Sequence, residues 1–206
     1  MQGTWRATAK AGRRAEYLSA AARLFAQRGF HGVSIDELGA AVGASGPALY
    51  RHFESKEAML TELLVGASER LLRGMRDILD ESVDDREKMA KLIDFHVEFA
   101  LAERDIIRIQ DRELEALPRA ASHQVRKLQR QYVDAWTDVA ARLLPDVPRE
   151  QLIIRMHAIF GLLNSTPHSA RGDLSLARDI LARLAREGLI PPVTSASDAT
   201  DSVSAR

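Results

Sequence analysis

The sequence predicts an all-α protein, a small basic N-terminal module leading a larger acidic helical domain. Three observations carry this. Apolar residues recur at helical spacing along nearly the whole chain; no stretch alternates convincingly with period two; and helix starts such as Ser34 and Ser55 are answered by stops at Gly29, Gly43, Pro145 and Pro148.

Nine helices follow in order. The first covers about 11–28, with Leu18, Ala21, Ala22, Leu24 and Phe25 on one face and Gly29 after it. Ser34 opens a short second helix and Glu37 three residues later completes a capping box, with Ile35, Leu38 and Val42 as its buried side. Gly43 breaks it, and a third short helix runs over about 45–51. Ser55 caps a long fourth helix, whose Met59, Leu60, Leu63, Leu64, Ala67, Leu71, Met75 and Ile78 keep helical spacing, so that it can act as a strut. Beyond Asp85, Met89, Leu92, Ile93, His96, Phe99 and Ala100 share a face; a shorter helix then runs through Ile106, Ile107 and Ile109. Pro118 precedes another long helix, carrying Val125, Leu128, Tyr132, Trp136, Val139 and Leu143. The helix at 149–165 is apolar nearly all round and must be covered on both sides. The last, at 174–187, has a stripe of Ala177, Ile180, Leu181, Leu184 and Ala185. Residues 1–10 and 189–206 read as disordered tails.

Composition narrows the function. With 206 residues, 46% of them hydrophobic, the chain can bury a real core. The absence of cysteine excludes a disulfide framework, a thiolate metal site and a cysteine nucleophile. The longest uncharged stretch, between Arg155 and Arg171, falls short of the roughly 20 apolar residues of a membrane span. The N-terminus lacks the apolar run of a signal peptide, so a cytoplasmic protein without membrane contact is expected. The 29 basic and 29 acidic residues balance, yet residues 1–56 hold eight Lys/Arg against four acids. Six histidines form no metal-binding pair at i, i+4 and no HExxH, so neither a metal nor a cofactor is expected.

Three short helices within 45 residues, the last two joined around Gly43, Ala44 and Ser45, describe a helix-turn-helix. Small Ala44, Ser45 and Gly46 would let the third helix approach a phosphate or a base edge, and Pro47 suits a first helical turn. Leu49 and Phe53 read as its core anchors, with Ala48, Tyr50, Arg51 and His52 partly outward. Lys56 adds a cation at a helix N-terminus.

The run from Phe25 to Leu60 resembles the tetracycline-repressor (TetR) family of bacterial transcription regulators. The marks are Phe30-His31-Gly32-Val33-Ser34, Gly43, Leu49-Tyr50-Arg51-His52-Phe53 and Ser55-Lys56-Glu57. The resemblance implies a homodimer that binds a palindromic double-stranded DNA operator. By position, Ser34, Tyr50, His52 and Lys56 would meet phosphates, and Ser45, Gly46, Pro47, Ala48 and Tyr50 would face bases. With Gly46 and Ala48 offering almost no side-chain hydrogen bonding, base reading would rest on Ser45, Tyr50, thymine-methyl contacts and DNA shape. On this basis residues 11–56 form the DNA-binding domain and 57–188 the effector-binding and dimerisation domain.

The resemblance also implies a small-molecule effector, an acyl-CoA or other lipophilic compound, with aromatic drugs as the second choice. Met89, His96, Phe99, Tyr132, Trp136 and Phe160 are core residues first; some would line the pocket, with His96, Arg108 and Gln110 as polar candidates. Asn164 to His168 fit a dimer seam, a pocket rim or plain helix termination before Pro167. The two last helices would pair with their symmetry mates as a four-helix bundle. An enzyme has only adjacent carboxylates such as Glu113 and Glu115, with no nucleophile or phosphate loop. A helical adaptor leaves the basic first module without a use.

Overall fold

The computed structural model describes the backbone of residues 2–190 and the side chains of residue 8 and residues 10–190. The described residues form α1 (Gln2–Arg28), α2 (Ile35–Ala40), α3 (Gly46–Leu49), α4 (Lys56–Leu79), α5 (Asp85–Ala102), α6 (Arg104–Glu113), a 3-10 turn (Leu114–Ala116), α7 (Arg119–Leu143), α8 (Arg149–Leu163), α9 (Thr166–Ser169) and α10 (Leu174–Leu189). None of these helices is long and apolar enough to cross a membrane.

The caps explain most boundaries. Gly29 (φ 78°) ends α1, its N–H donating to Phe25 O at 2.8 Å. Ser34 and Glu37 make the expected capping box: Glu37 N–H donates to Ser34 Oγ (3.3 Å), and Ser34 N–H donates to Glu37 Oε2 (2.8 Å). Ser55 Oγ accepts from Ala58 N–H at 3.1 Å to start α4, and Asp84 and Asp173 do the same work for α5 and α10.

Two expectations change. The first helix begins at Gln2, so residues assigned to a tail extend it. They carry no apolar stripe, but Arg6, Ala7, Ala9 and Lys10 favour helix, and lengthening an existing helix avoids the nucleation cost. At the other end, Pro167 does not mark a bare helix end. It sits in the first turn of the short α9, where its missing N–H costs nothing, and Thr166 Oγ1 fixes that turn by donating to Ala100 O at 2.6 Å. The expected C-terminal tail lies outside the described residues beyond Ile190, while Leu189 is buried.

Two cores result. The first joins Tyr17, Phe25 and Phe30 to Leu38, Leu49 and Phe53, and continues into Ile106, Ile109 and Val125. The small N-terminal helices are therefore not sealed by their own residues; α6 and the start of α7 form their floor. The second surrounds Met89, Ile93, Trp136, Met156, Leu163 and Ala185, where α5, α7, α8 and α10 pack together. The helix α4 contributes to both, through Met59, Leu60 and Leu64 to the first and Leu72 and Met75 to the second.

Burial divides the all-round apolar α8 into two faces. Leu152, Met156, Ile159, Phe160 and Leu163 point inward, while Ile154 is 64% exposed. On α10, Leu176, Ile180 and Leu184 are likewise exposed.

Candidate functional sites: a nucleic-acid interface and an interior cavity

Gly43 adopts φ 67°, a left-handed backbone that L side chains rarely take, and so turns the chain sharply between α2 and α3. The two helices then touch through backbone. A Cβ on Gly39 would lie 2.8 Å from Gly46 N, and one on Gly46 would overlap the Asp36 carboxylate. Gly46 is buried against α2 and is not among the residues facing outward as the sequence suggested. Its work is to let α3 approach α2, and Gly39, unnoticed in the sequence, is its counterpart.

The remaining outward residues sit where a ligand could reach them. Tyr50 is 56% exposed, Ser45 and Pro47 are exposed, and Ala48 is half-buried. The Ser45 hydroxyl makes no capping bond. Ser34 is exposed, but its hydroxyl is hydrogen-bonded to Glu37 Oε2 at 2.8 Å. The backbone N–H of Ser34, with Arg28 alongside, holds the Glu37 carboxyl down to about 2.

Lys56 and His52 are half-buried, and each makes contacts within the module. Lys56 Nζ donates to Phe30 O and Val33 O, both at 2.8 Å, and lies 4.4 Å from the Phe30 ring centroid. Its ammonium ties the α1–α2 loop to α4, a structural role that the sequence did not show. His52 packs against Tyr17, and its Nδ1 is buried without a partner, so Nδ1 is not the atom that could meet a phosphate. Burial first, then the charges of Lys10, Arg14, Arg13 and Arg51, lower the His52 pKa. That ordering places four cations around the motif. Arg51 is exposed, with no ion pair among the described residues. Lys10 and Arg13 belong to the N-terminal part of α1; Lys10 falls in the expected tail and Arg13 at the start of the expected first helix, and the basic run Lys10 to Arg14 is their signal in the sequence.

A cavity of about 230 Å³ opens in the larger domain, between α4, α5, α6, α7 and α8. Of the expected ligand-binding residues, His96, Tyr132 and Phe160 line it, as does Gln110. Four others do not. Met89 and Trp136 are fully buried in the second core, Trp136 one ring behind the wall with its centroid 5.0 Å from that of Phe160. Phe99 packs behind His96, ring centroids 6.1 Å apart. Arg108 faces a separate, polar pocket and donates to Pro167 O at 3.0 Å. Helical spacing finds a face, but a face includes both the wall and the packing behind it. Asn164 both caps the end of α8 and lines the cavity, and Ser68 and Gln129 are polar lining residues that the sequence pattern did not single out.

Inside, His96 Nε2 lies 3.0 Å from Asn164 Oδ1 and His96 Nδ1 lies 3.2 Å from Tyr132 Oη. Burial pushes His96 down to about 4, opposed by Asn164, so the ring is neutral near pH 7. The same burial raises the Tyr132 phenol. Chemically this is a largely apolar cavity with a neutral hydrogen-bonding wall.

Comparison with known proteins agrees with both halves. Residues 18–63 match the family "Bacterial regulatory proteins, tetR family", and residues 82–189 match "Tetracyclin repressor-like, C-terminal domain". The HTH-type transcriptional activator FasR of Mycolicibacterium smegmatis is 30% identical over 86% of this chain and 80% of its own length. The HTH-type transcriptional repressor KstR2 of Rhodococcus jostii is 34% identical over 52% of this chain, a stretch spanning about half (53%) of that relative. Among solved structures, a TetR-family regulator from Bordetella parapertussis superposes with a TM-score of 0.76 at 26% identity, covering 85% of this chain and 94% of that one. AibR, solved with isovaleryl coenzyme A and operator DNA, shares the fold at a TM-score of 0.72 and 17% identity, covering 87% and 99%. The chain belongs to the TetR family of bacterial transcription regulators, DNA-binding proteins with an N-terminal helix-turn-helix and a C-terminal helical domain.

Proposed function

We propose that the protein is a one-component repressor rather than an enzyme. As a homodimer in the bacterial cytoplasm it binds a palindromic operator through residues 11–56 and releases it when a lipophilic small molecule enters the cavity of residues 57–188. The observation that carries this is the course of α4. Its first turn is anchored on the helix-turn-helix by Lys56, and Ser68 and Leu71, further along the same helix, line the cavity. A ligand that displaces α4 must move the DNA-binding module with it.

Ser45, Pro47, Ala48 and Tyr50 are the base-facing candidates; Ser34, His52, Arg51, Lys10 and Arg13 are the phosphate candidates. The exposed stripe Ile154, Leu176, Ile180 and Leu184 supports dimerisation through α8 and α10, because a helical face this apolar is ordinarily covered. Half-sites are then expected one helical turn apart, or a multiple of it. The coenzyme A thioester in AibR makes such thioesters one effector class to test.

The test is selection of genomic fragments on the purified protein, followed by mobility shift at increasing salt. Retention of a palindromic sequence, weakened by salt, supports the reading. Retention that is indifferent to sequence, or turnover of a substrate without DNA retention, overturns it.

A further inference from the structure

The cavity's own chemistry narrows its ligand. Its volume of about 230 Å³ is below the roughly 300–1,000 Å³ of pockets for drug-sized molecules. No Lys, Arg, Asp or Glu lines it; besides His96 and Tyr132 the one titratable lining residue is His157, exposed at the rim. An anion carried inside would lose its hydration without meeting a cation.

The polar wall also has a direction. Asn164 Oδ1 can only accept, so His96 Nε2 carries the ring proton and donates to it at 3.0 Å. His96 Nδ1 is then bare and accepts the Tyr132 hydroxyl proton at 3.2 Å. The relay leaves a donor, the Asn164 NH₂, at one end and the lone pairs of Tyr132 Oη at the other. Gln110 and Gln129, whose side chains make no hydrogen bond among the described residues, add two neutral amides to the lining. Leu71, Leu128, Val133 and Phe160 make up the apolar remainder.

We infer that the effector is a compact uncharged amphiphile, a ketone or alcohol on a short hydrocarbon, whose carbonyl accepts from the Asn164 amide or whose hydroxyl donates to Tyr132 Oη, and not a carboxylate or a coenzyme A thioester. This rests on the reading of the cavity as the effector site. The relay is also why a neutral ligand is preferred: His96 already spends its proton on Asn164 and its lone pair on Tyr132, so it has nothing with which to balance a charge.

The experiment titrates the full-length protein at a pH of about 8 with methyl hexyl ketone, octanol, octanoate and octanoyl-CoA, following tryptophan fluorescence and melting temperature. The ketone and octanol are expected to saturate, with octanoate and octanoyl-CoA weaker by at least about tenfold. Asn164→Leu should weaken the ketone, and Tyr132→Phe octanol, each by about tenfold. Three results overturn the inference: octanoate or octanoyl-CoA binding as tightly as the ketone, no saturation by either uncharged probe up to about 1 mM, or unchanged binding in both folded variants. If one variant fails to fold, the other and the comparison of charged with uncharged probes still decide. Mobility shifts with the selected fragment run alongside. Uncharged probes that bind but never release DNA sink the switching proposal and leave standing only the cavity's preference for uncharged ligands. A thioester that releases DNA while the uncharged probes do not bind does the reverse.

Discussion

Tyr50 and Lys56 were equivalent in the sequence, both reached through the same motif, and the structure separates them. Tyr50→Ala removes an exposed ring that touches no core and should leave the melting temperature nearly unchanged while weakening operator binding. Lys56→Met strands two backbone carbonyls of the α1–α2 loop and should cost about 1–3 kcal/mol, read as a lower denaturant midpoint. Equal melting of both variants would show that the lysine anchors nothing. Arg51→Ala should lower the salt slope of operator binding by about one unit, the loss of one phosphate contact. His96 makes a different kind of prediction. Its folded pKa is depressed below its unfolded value, so the unfolded chain binds more protons between about 4 and 6.5. Stability is fully present above about pH 6.5 and falls as pH drops toward about 4, by a total near 3 kcal/mol. His96→Leu should flatten that loss without abolishing it, since burial lowers His52 as well; an unaltered pH profile would mean that His96 is already charged or exposed.

At the scale of elements, capping chemistry was legible and packing was not. Ser34 with Glu37, Ser55, Gly29 and Gly43 fixed the first four helices from local hydrogen bonds and backbone geometry, which sequence carries directly. The limits of α1 and the presence of α9 escaped, because one has no apolar stripe and the other begins at a proline that elsewhere reads as a stop. The α8 face shows the deeper limit. Where every side is apolar, periodicity cannot say which side meets the protein's own core, and Phe160, a natural choice for disrupting a dimer, is buried in the aromatic wall. Ile154→Arg with Leu184→Arg is the pair that should yield monomers by sedimentation while preserving the fold; a dimer of unchanged affinity would remove α8 and α10 from the interface. The crossing of α2 and α3 offers a further check. Gly39→Ala puts a methyl 2.8 Å from Gly46 N, so it should destabilise by about 1–3 kcal/mol and reduce operator affinity with it.

For the whole molecule, the DNA-binding site was visible in the sequence because it is local, packed into one contiguous run. The cavity was only half visible because its lining comes from five helices, of which the sequence supplies candidate faces and tertiary packing selects residues. The two sites are joined by α4, whose 24 residues span about 36 Å, with Ser68 about 18 Å along the helix from Lys56. Arg14 strengthens the near end. It pairs with both carboxylate oxygens of Glu62 on α4, donates to His52 O and lies 4.0 Å from the centre of the Phe53 ring, so α1, the turn after α3, and α4 move together. To swing the protein from about 99% bound to 99% released, an effector must prefer the released state by roughly 5.5 kcal/mol. The most direct test is fluorescence anisotropy of the selected operator fragment, titrated with an effector, for the unmutated protein and Val133→Trp, which fills the cavity. The unmutated protein should release the fragment and the filled variant should hold it at every effector concentration. Release by both at the same midpoint would contradict control of DNA binding from this cavity.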